Sequence, residues 1–185
     1  VKIESEKDMK SMLKSIYSKN KDVLPELETE EIDVSNSDLV TSYTGIQSTG
    51  NVESLVVLEP LMSSQAYSAV ALKVKSNANI ETVKEEILNN VDMRKWICVS
   101  AEKLYVTNYG NIIFSVMSDD EWATSVYNEF KNIINNYKIS LPSGILEIIV
   151  RLMRSRKSSD TVSDTISAIG KAHHTTCSPP ILDRI

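Results

Sequence analysis

The chain has 185 residues, of which 42% are hydrophobic and 24% are charged, with five glycines and five prolines. These values are ordinary for a globular protein and argue against a disordered or turn-only chain. Residues 1–140 hold 14 Lys and Arg against 21 Asp and Glu, a net charge of −7, whereas residues 141–185 carry +2. An acidic body repels phosphate backbones, so nucleic-acid binding is not expected. No run of 18 apolar residues occurs, so no membrane-spanning helix is predicted.

The first predicted element is an amphipathic helix over Ser5–Asn20. Ser5 and Asp8 resemble a capping arrangement at its start. Its apolar residues recur at helical spacing and therefore share one face. They are Met9, Met12, Leu13, Ile16 and Tyr17.

An acidic segment, Glu26–Asp33, follows this helix. The density of carboxylates indicates a solvated loop, or a short strand around Ile32–Val34. Cap-forming residues then precede Leu39, which predicts a short helix that Gly45 ends.

Residues 52–117 follow the pattern strand, strand, helix, strand, strand and describe the main predicted core. Period-two alternation in the second strand indicates one buried face and one wet or half-covered face. The segment Asn108-Tyr109-Gly110-Asn111 is a strong signal for a tight hairpin turn. The predicted elements are Val52–Leu58, Ala66–Lys75, the helix Ile80–Trp96, Lys103–Asn108 and Asn111–Met117.

A further helix is predicted from residue 119 to Tyr137. Asp119, Asp120 and Glu121 place carboxylates in its first turn, where the helix dipole favours them. The predicted fold is therefore α+β: a two-layer sandwich with an antiparallel sheet of about four strands, in a ββαββα-like order. The helices 80–96 and 119–137 are predicted to pack on one face of this sheet.

The composition changes at Pro142, which divides a predicted α+β domain, 1–140, from a C-terminal part, 141–185. That part holds an amphipathic segment, residues 145–157, and a Ser/Thr-rich tail. An apolar face followed by basic residues is typical of helices that contact an anionic membrane or a partner's groove. The alternative is a helix docked on the open face of the sheet. The candidate contact residues are Ile149, Arg151, Leu152 and Arg154.

Few residues in the sequence suggest catalysis. His173, His174 and Cys177 are metal-ligand types, but three residues in a polar tail fall short of the four ligands that zinc prefers. Cys98 lies in an apolar run without a nearby cation, which favours a buried structural thiol over a nucleophile. Asp119–Glu121 lacks a glycine-interrupted cation loop. No phosphate-binding loop or nucleophile elbow occurs, so the sequence predicts no enzyme and no cofactor, and a hydrolase is a weak alternative.

Several short motifs resemble a bacterial family designated domain of unknown function 4358. The matching residues are Tyr43-x-Gly45-Ile46, the segment Pro60–Ala66 leading into Val70–Lys75, and Tyr109–Phe114. The resemblance covers about residues 36–135. Ser63-Ser64 and Tyr67-Ser68 depart from the family pattern, which has Asn and an acidic residue there. Members are small secreted proteins, often lipoproteins, so the resemblance implies an extracytoplasmic protein that is membrane-tethered in its full-length form.

The predicted function is a non-catalytic extracytoplasmic binding or assembly module, whose partner is a protein or a small ligand. The alternative is a peripheral membrane or partner-helix binder that uses residues 145–157. Homo-oligomer formation is a further possibility. The loops that enter the two hairpins are the predicted binding surface because they join the motifs of the resemblance. The candidate residues are Tyr43, Pro60, Met62, Gln65 and Tyr109.

Overall fold

The structure is a computed structural model, and it describes residues 3–62, 64–139 and 166–169. Helices and strands alternate along these residues without a long irregular segment except the stretch between residues 91 and 102. The elements are α1 (Glu6–Asn20), β1 (Leu27–Ile32), α2 (Ser37–Thr44), β2 (Val52–Pro60), β3 (Ser68–Val74), α3 (Ile80–Asn90), β4 (Lys103–Tyr109), β5 (Ile112–Ser118), α4 (Asp120–Ile139) and β6 (Ile166–Ile169).

The strands form one antiparallel sheet in the order β1-β2-β3-β5-β4-β6. Five strands lie between residues 27 and 118, and the short β6 pairs with β4. The two hairpins, β2–β3 and β4–β5, meet through β3 and β5 at the centre of the sheet. The α+β class and the antiparallel sheet are confirmed, with more strands than the four predicted.

Helices cover both faces of the sheet, which corrects the predicted packing on one face. Val83 and Ile87 of α3 belong to one core cluster, whereas Val126 and Phe130 of α4 belong to the other. Strands buried on both faces have nearly continuous apolar sequences, as β2 does. The same arrangement explains why Ala71 of β3, on the face predicted to be wet or half-covered, is fully buried.

The α1/α4 face is the part of the core that these two long helices cover. Two pairs of aromatic rings join the sheet to α4, each nearly parallel. Tyr105 stacks on Tyr127 with the ring centroids 4.4 Å apart, and Phe114 stacks on Phe130 at 4.3 Å. Aromatic burial of this kind contributes strongly to a core. The α1/α4 face therefore has the construction of a stability core.

The α2/α3 face is covered by two shorter helices and by the segment between residues 91 and 102. Asn36 caps α2, and its side-chain oxygen accepts hydrogen bonds from the backbone N–H groups of Asp38 and Leu39. Gly45 ends α2 in the left-handed conformation, with φ of 77°. A Cβ atom at Gly45 would lie 2.4 Å from the backbone nitrogen of Val91, so only glycine permits α2 to cross the end of α3 this closely.

Two predicted elements differ from the structure. The acidic segment forms a six-residue edge strand, β1, whose buried ends are Leu27 and Ile32. Its glutamates remain in solvent, which suits a sheet edge that must not pair with other chains. The predicted helix Ile80–Trp96 ends at Asn90, because residues after it pack on the same core with a non-helical backbone.

Candidate binding site

A cleft of about 380 Å³ opens at the end of the sheet where β2 ends and β3 begins. Three parts of the chain form it: α2, the end of β2 with the loop that follows, and the segment after α3. These parts are distant in sequence and meet because α2 and the segment after α3 both pack on the α2/α3 face. The lining residues are Ser42, Tyr43, Glu59, Pro60, Leu61, Met62, Lys95 and Trp96.

Local hydrogen bonds fix the segment that brings Lys95 into the cleft. The backbone N–H of Arg94 donates to the Asp92 carboxylate at 2.9 Å, and the N–H of Ala101 donates to the Met93 carbonyl at 2.8 Å. The Asp92 bond forms a turn, and the Ala101 bond closes the base of the loop. The side chain of Lys95 thereby lies against β2 and β3.

The ammonium group of Lys95 has four neighbours in the cleft. It pairs with the Glu59 carboxylate at 2.5 Å and lies 3.3 Å from the Ser68 hydroxyl oxygen. It also lies 4.8 Å from the ring centroid of Tyr43 and 5.4 Å from that of Trp96. Cation–π attraction and a charge-assisted hydrogen bond both hold an ammonium in such surroundings.

The charge around Tyr43 is negative apart from Lys95. Burial, and then the carboxylates of Glu59 and Glu30, raise the pKa of the Tyr43 hydroxyl above its usual value. Glu59 is neutralised by Lys95, whereas Glu30 makes no ion pair with any residue that the structure describes. The cleft is thus close to neutral with an acidic border.

The rim of the cleft is apolar and exposed. The side chains of Leu61 and Met62 are 61% and 65% exposed, and Ile97, next to Trp96, is 67% exposed. Among the side chains that the structure describes, six large hydrophobic ones are exposed, and only Val23 lies outside α2 and the two segments that form this cleft. Exposed apolar side chains gathered at one place mark an interaction surface, whereas single ones do not.

The structure brings three of the five predicted binding residues together and separates the others. Tyr43, Pro60 and Met62 line the cleft. Gln65 does not line it, although its backbone N–H donates to the Met62 carbonyl at 3.4 Å and helps to close the loop. Tyr109 is at the opposite end of the sheet, paired with Ile112, and packs against the α1/α4 face. The two hairpin loops therefore do not form one continuous surface, and the binding role of Gln65 and Tyr109 stays a prediction.

The remaining candidates have separate outcomes. Cys98 was predicted to be buried, but it is exposed and has a φ of 61°. Asp119 accepts a hydrogen bond from the Trp122 N–H, and Asp120 pairs with Lys103, so these acids begin α4 as the sequence indicated. Some candidates lie outside the described residues: His173, His174, Cys177, Ile149, Arg151, Leu152 and Arg154.

Sequence reasoning missed Glu59, Lys95 and Trp96. Lys95 and Trp96 were assigned to the end of a helix, and Glu59 to the loop after a strand that was predicted to end at Leu58. Their contact crosses 36 residues of chain, from Glu59 to Lys95, and depends on side-chain geometry. The one available signal is a lysine next to a tryptophan, which is too common to identify a site.

A second groove, of about 520 Å³, lies between α1 and β1. Lys10 lines it and pairs with Glu31 at 2.6 Å. No exposed large hydrophobic side chain lines this groove: its apolar residues Leu27 and Leu58 are buried. We therefore place the candidate site in the first cleft.

Comparisons with protein-family models, curated proteins and solved structures found no match to this chain. Among the described residues, no group of three or more His, Cys, Asp or Glu side chains is placed to hold a metal ion. None of the described helices has the length and apolar character needed to cross a membrane.

Proposed function

We propose that this chain is a non-catalytic binding module that docks an apolar segment of a partner protein in the cleft beside Tyr43 and Met62. The observation that supports the proposal is the exposed apolar rim around a cleft whose two charged side chains, Lys95 and Glu59, already pair with each other. A surface of this kind loses little hydration of polar groups on binding and removes apolar area from water.

We further propose that the protein works outside the cytoplasm. The resemblance to the secreted family supports this location, where disulfide bonds persist and free thiols are uncommon. Alkylation of free thiols in protein from fractionated native cells tests the location. Recovery of the protein from the cytosol with an alkylated Cys98 would contradict it.

A neutral fluorescent apolar probe, N-phenyl-1-naphthylamine, tests the binding surface. We expect saturable binding to the wild-type chain that the double substitution Leu61→Ser, Met62→Ser weakens at least about fivefold, which corresponds to roughly 1 kcal/mol of lost apolar contact. Val23→Ser is the matched control, because Val23 is also exposed but lies in the turn after α1. Equal binding by the three proteins would remove the cleft as the docking surface.

The family resemblance stays part of this proposal, as does a possible homo-oligomer. A membrane surface is the competing occupant of the apolar rim. Flotation with neutral phosphatidylcholine vesicles distinguishes the two. Flotation of the wild-type chain that depends on Leu61 and Met62 would replace the partner protein by a bilayer.

A further inference from the structure

The site around Lys95 has the composition of a complete recognition site for an organic cation. One carboxylate, from Glu59, one hydroxyl, from Ser68, and two aromatic rings, from Tyr43 and Trp96, all lie around one ammonium group. The carboxylate supplies charge and the rings supply a polarisable wall, which together are how proteins hold ammonium groups. In this chain the ammonium is the protein's own.

Three of the four groups that form this site lie on regular helices and strands, unlike the group that fills it. Glu59 and Ser68 belong to neighbouring strands, and Tyr43 belongs to α2, whereas Trp96 shares the irregular segment of Lys95. Lys95 reaches the site on a flexible four-carbon stem from an irregular segment, and its side chain is still 19% exposed. Rotation of the Lys95 stem toward solvent would leave a carboxylate and two ring faces without a cation.

Charge decides which partner suits the vacated site. With Lys95 withdrawn, Glu59 and Glu30 give the cleft a negative charge, and residues 1–140 carry −7. An acidic partner segment would instead have to pair with Lys95 and draw it away from Glu59. The Glu59 carboxylate, which is 24% exposed, would then be left without a partner. The exposed side chains of Leu61 and Met62 border the cleft and offer contact to apolar neighbours of the bound cation.

We infer that the cleft recognises a lysine side chain flanked by apolar residues on a partner protein, and that Lys95 occupies the lysine position in the free chain. This inference rests on the proposed function and specifies the partner. Lys95 acts as an internal competitor, so the apparent affinity for the partner is lowered by the fraction of molecules in which Lys95 fills the site. Removal of the Lys95 ammonium should therefore strengthen binding of a cationic segment.

The test uses Trp96 as the reporter. A Trp122→Phe background leaves Trp96 as the one tryptophan, because the chain has two. The probe is a blocked pentapeptide, acetyl-Leu-Ala-Lys-Ala-Leu-amide, and the matched probe replaces its lysine by norleucine. We expect Lys95→Met to tighten binding of the lysine peptide about tenfold and to leave the norleucine peptide within about twofold. Adding Glu59→Gln to Lys95→Met should abolish the gain.

Three outcomes would overturn the inference. Unchanged or weaker binding of the lysine peptide by Lys95→Met would show that Lys95 does not compete. An equal gain for the norleucine peptide would show that only space was created. Binding of n-butylammonium as tightly as the peptide would assign the site to a small cation instead of a protein segment. If Lys95→Met does not fold, Lys95→Gln removes the charge and keeps a hydrogen-bond donor for Glu59.

The apolar-probe experiment separates this inference from the proposed function. Intact binding of N-phenyl-1-naphthylamine together with no effect of Lys95→Met would refute the lysine preference and leave the docking surface. If the wild-type chain does not bind N-phenyl-1-naphthylamine and Lys95→Met has no effect on peptide binding, both proposals are refuted.

Discussion

The two faces of the sheet are built differently, although the same five strands supply both. On the α1/α4 face, helices of 15 and 20 residues cover the strands, and stacked rings join α4 to the sheet. On the α2/α3 face, helices of 8 and 11 residues leave room for an irregular segment and the cleft. Each of the longer helices buries more apolar side chains than either shorter one, so the α1/α4 face is expected to contribute more to stability.

The difference suggests a division between stability and recognition. A binding surface needs exposed apolar side chains, which lower the stability gained from burial, and the rest of the core must compensate. In this chain the exposed apolar groups Leu61 and Met62 lie beside the α2/α3 face, and the aromatic stacks lie on the other. Substitutions on the two faces should therefore separate unfolding free energy from binding.

The largest expected effect comes from the α1/α4 face. Phe130→Ala removes a ring that is 2% exposed and stacked on Phe114, and it leaves a cavity. We expect the free energy of unfolding to fall by about 4 kcal/mol, measured by urea denaturation. Binding of N-phenyl-1-naphthylamine by the folded fraction should not change. A loss of less than about 1 kcal/mol, or loss of probe binding in folded protein, would contradict the division.

Gly45→Ala tests the opposite face. The Cβ of the new alanine would collide with the backbone of Val91 and Asn90. The φ of 77° at this position is also strained for any residue other than glycine. We expect a loss of about 2 kcal/mol of stability and weaker probe binding, because α2 places Tyr43 and the chain after Asn90 leads to Lys95. Gly50→Ala is the matched control, since its Cβ would meet no atom within 4 Å. Normal probe binding by Gly45→Ala would separate the cleft from the α2–α3 crossing.

Tyr67 is an exception within the α1/α4 face. It is fully buried, and its hydroxyl has no hydrogen-bond partner in the part of the chain that the structure describes. Burial, and then the charge of Glu59, raise the pKa of Tyr67 far above its usual value. Because a buried hydroxyl without a partner costs free energy, Tyr67→Phe should stabilise the fold by about 1 kcal/mol. Destabilisation in urea unfolding would indicate that the hydroxyl has a partner.

The fold was largely predictable where one local signal dominates. The turn at Gly110, which has a φ of 58°, fixed the β4–β5 hairpin to within one residue, and the capping box of Ser5 and Asp8 located the start of α1. The strand β1 was predicted only as one alternative and at other bounds, around Ile32–Val34, because an edge strand keeps its glutamates in water and buries its two apolar ends on opposite faces. The spacing of apolar residues indicates which side chains pack on the core, whatever the backbone conformation. Because Trp96 packs on the same core as α3, the predicted helix was extended to Trp96, six residues too far.

The candidate site was predictable only in part. Tyr43, Pro60 and Met62 came from motifs of a resemblance, and they meet in the cleft. The motif at Tyr109 marked a turn at the other end of the sheet, because a glycine-containing hairpin is needed for the fold itself. The Lys95–Glu59 pair could not be predicted, since no local pattern records which charged side chains meet after folding.

The smallest expected effect is a loss of stability at low pH, through two carboxyls at the starts of α1 and α4. Asp8 accepts hydrogen bonds from Ser5 at the start of α1, which lowers its pKa, and the hydrogen bond with Lys103 lowers the pKa of Asp120 at the start of α4. A carboxyl with a lowered folded-state pKa stabilises the fold above its ordinary value, here 3.8, and loses that contribution as the pH falls through the folded value. Stability should therefore decline as the pH drops below about 4.

The substitutions Asp8→Asn and Asp120→Asn isolate this contribution. In each variant the urea midpoint should be lower than wild type at neutral pH and should approach it in acid, because protonation makes the wild-type side chain neutral as well. Both side chains are at the surface, so the difference is expected to be small and to shrink in high salt for Asp120, whose partner is a charged lysine. A difference from wild type that stays constant across the acid range would assign the two carboxyls a role other than charge. The cleft should retain its apolar probe in both variants, since neither carboxyl lies on the α2/α3 face.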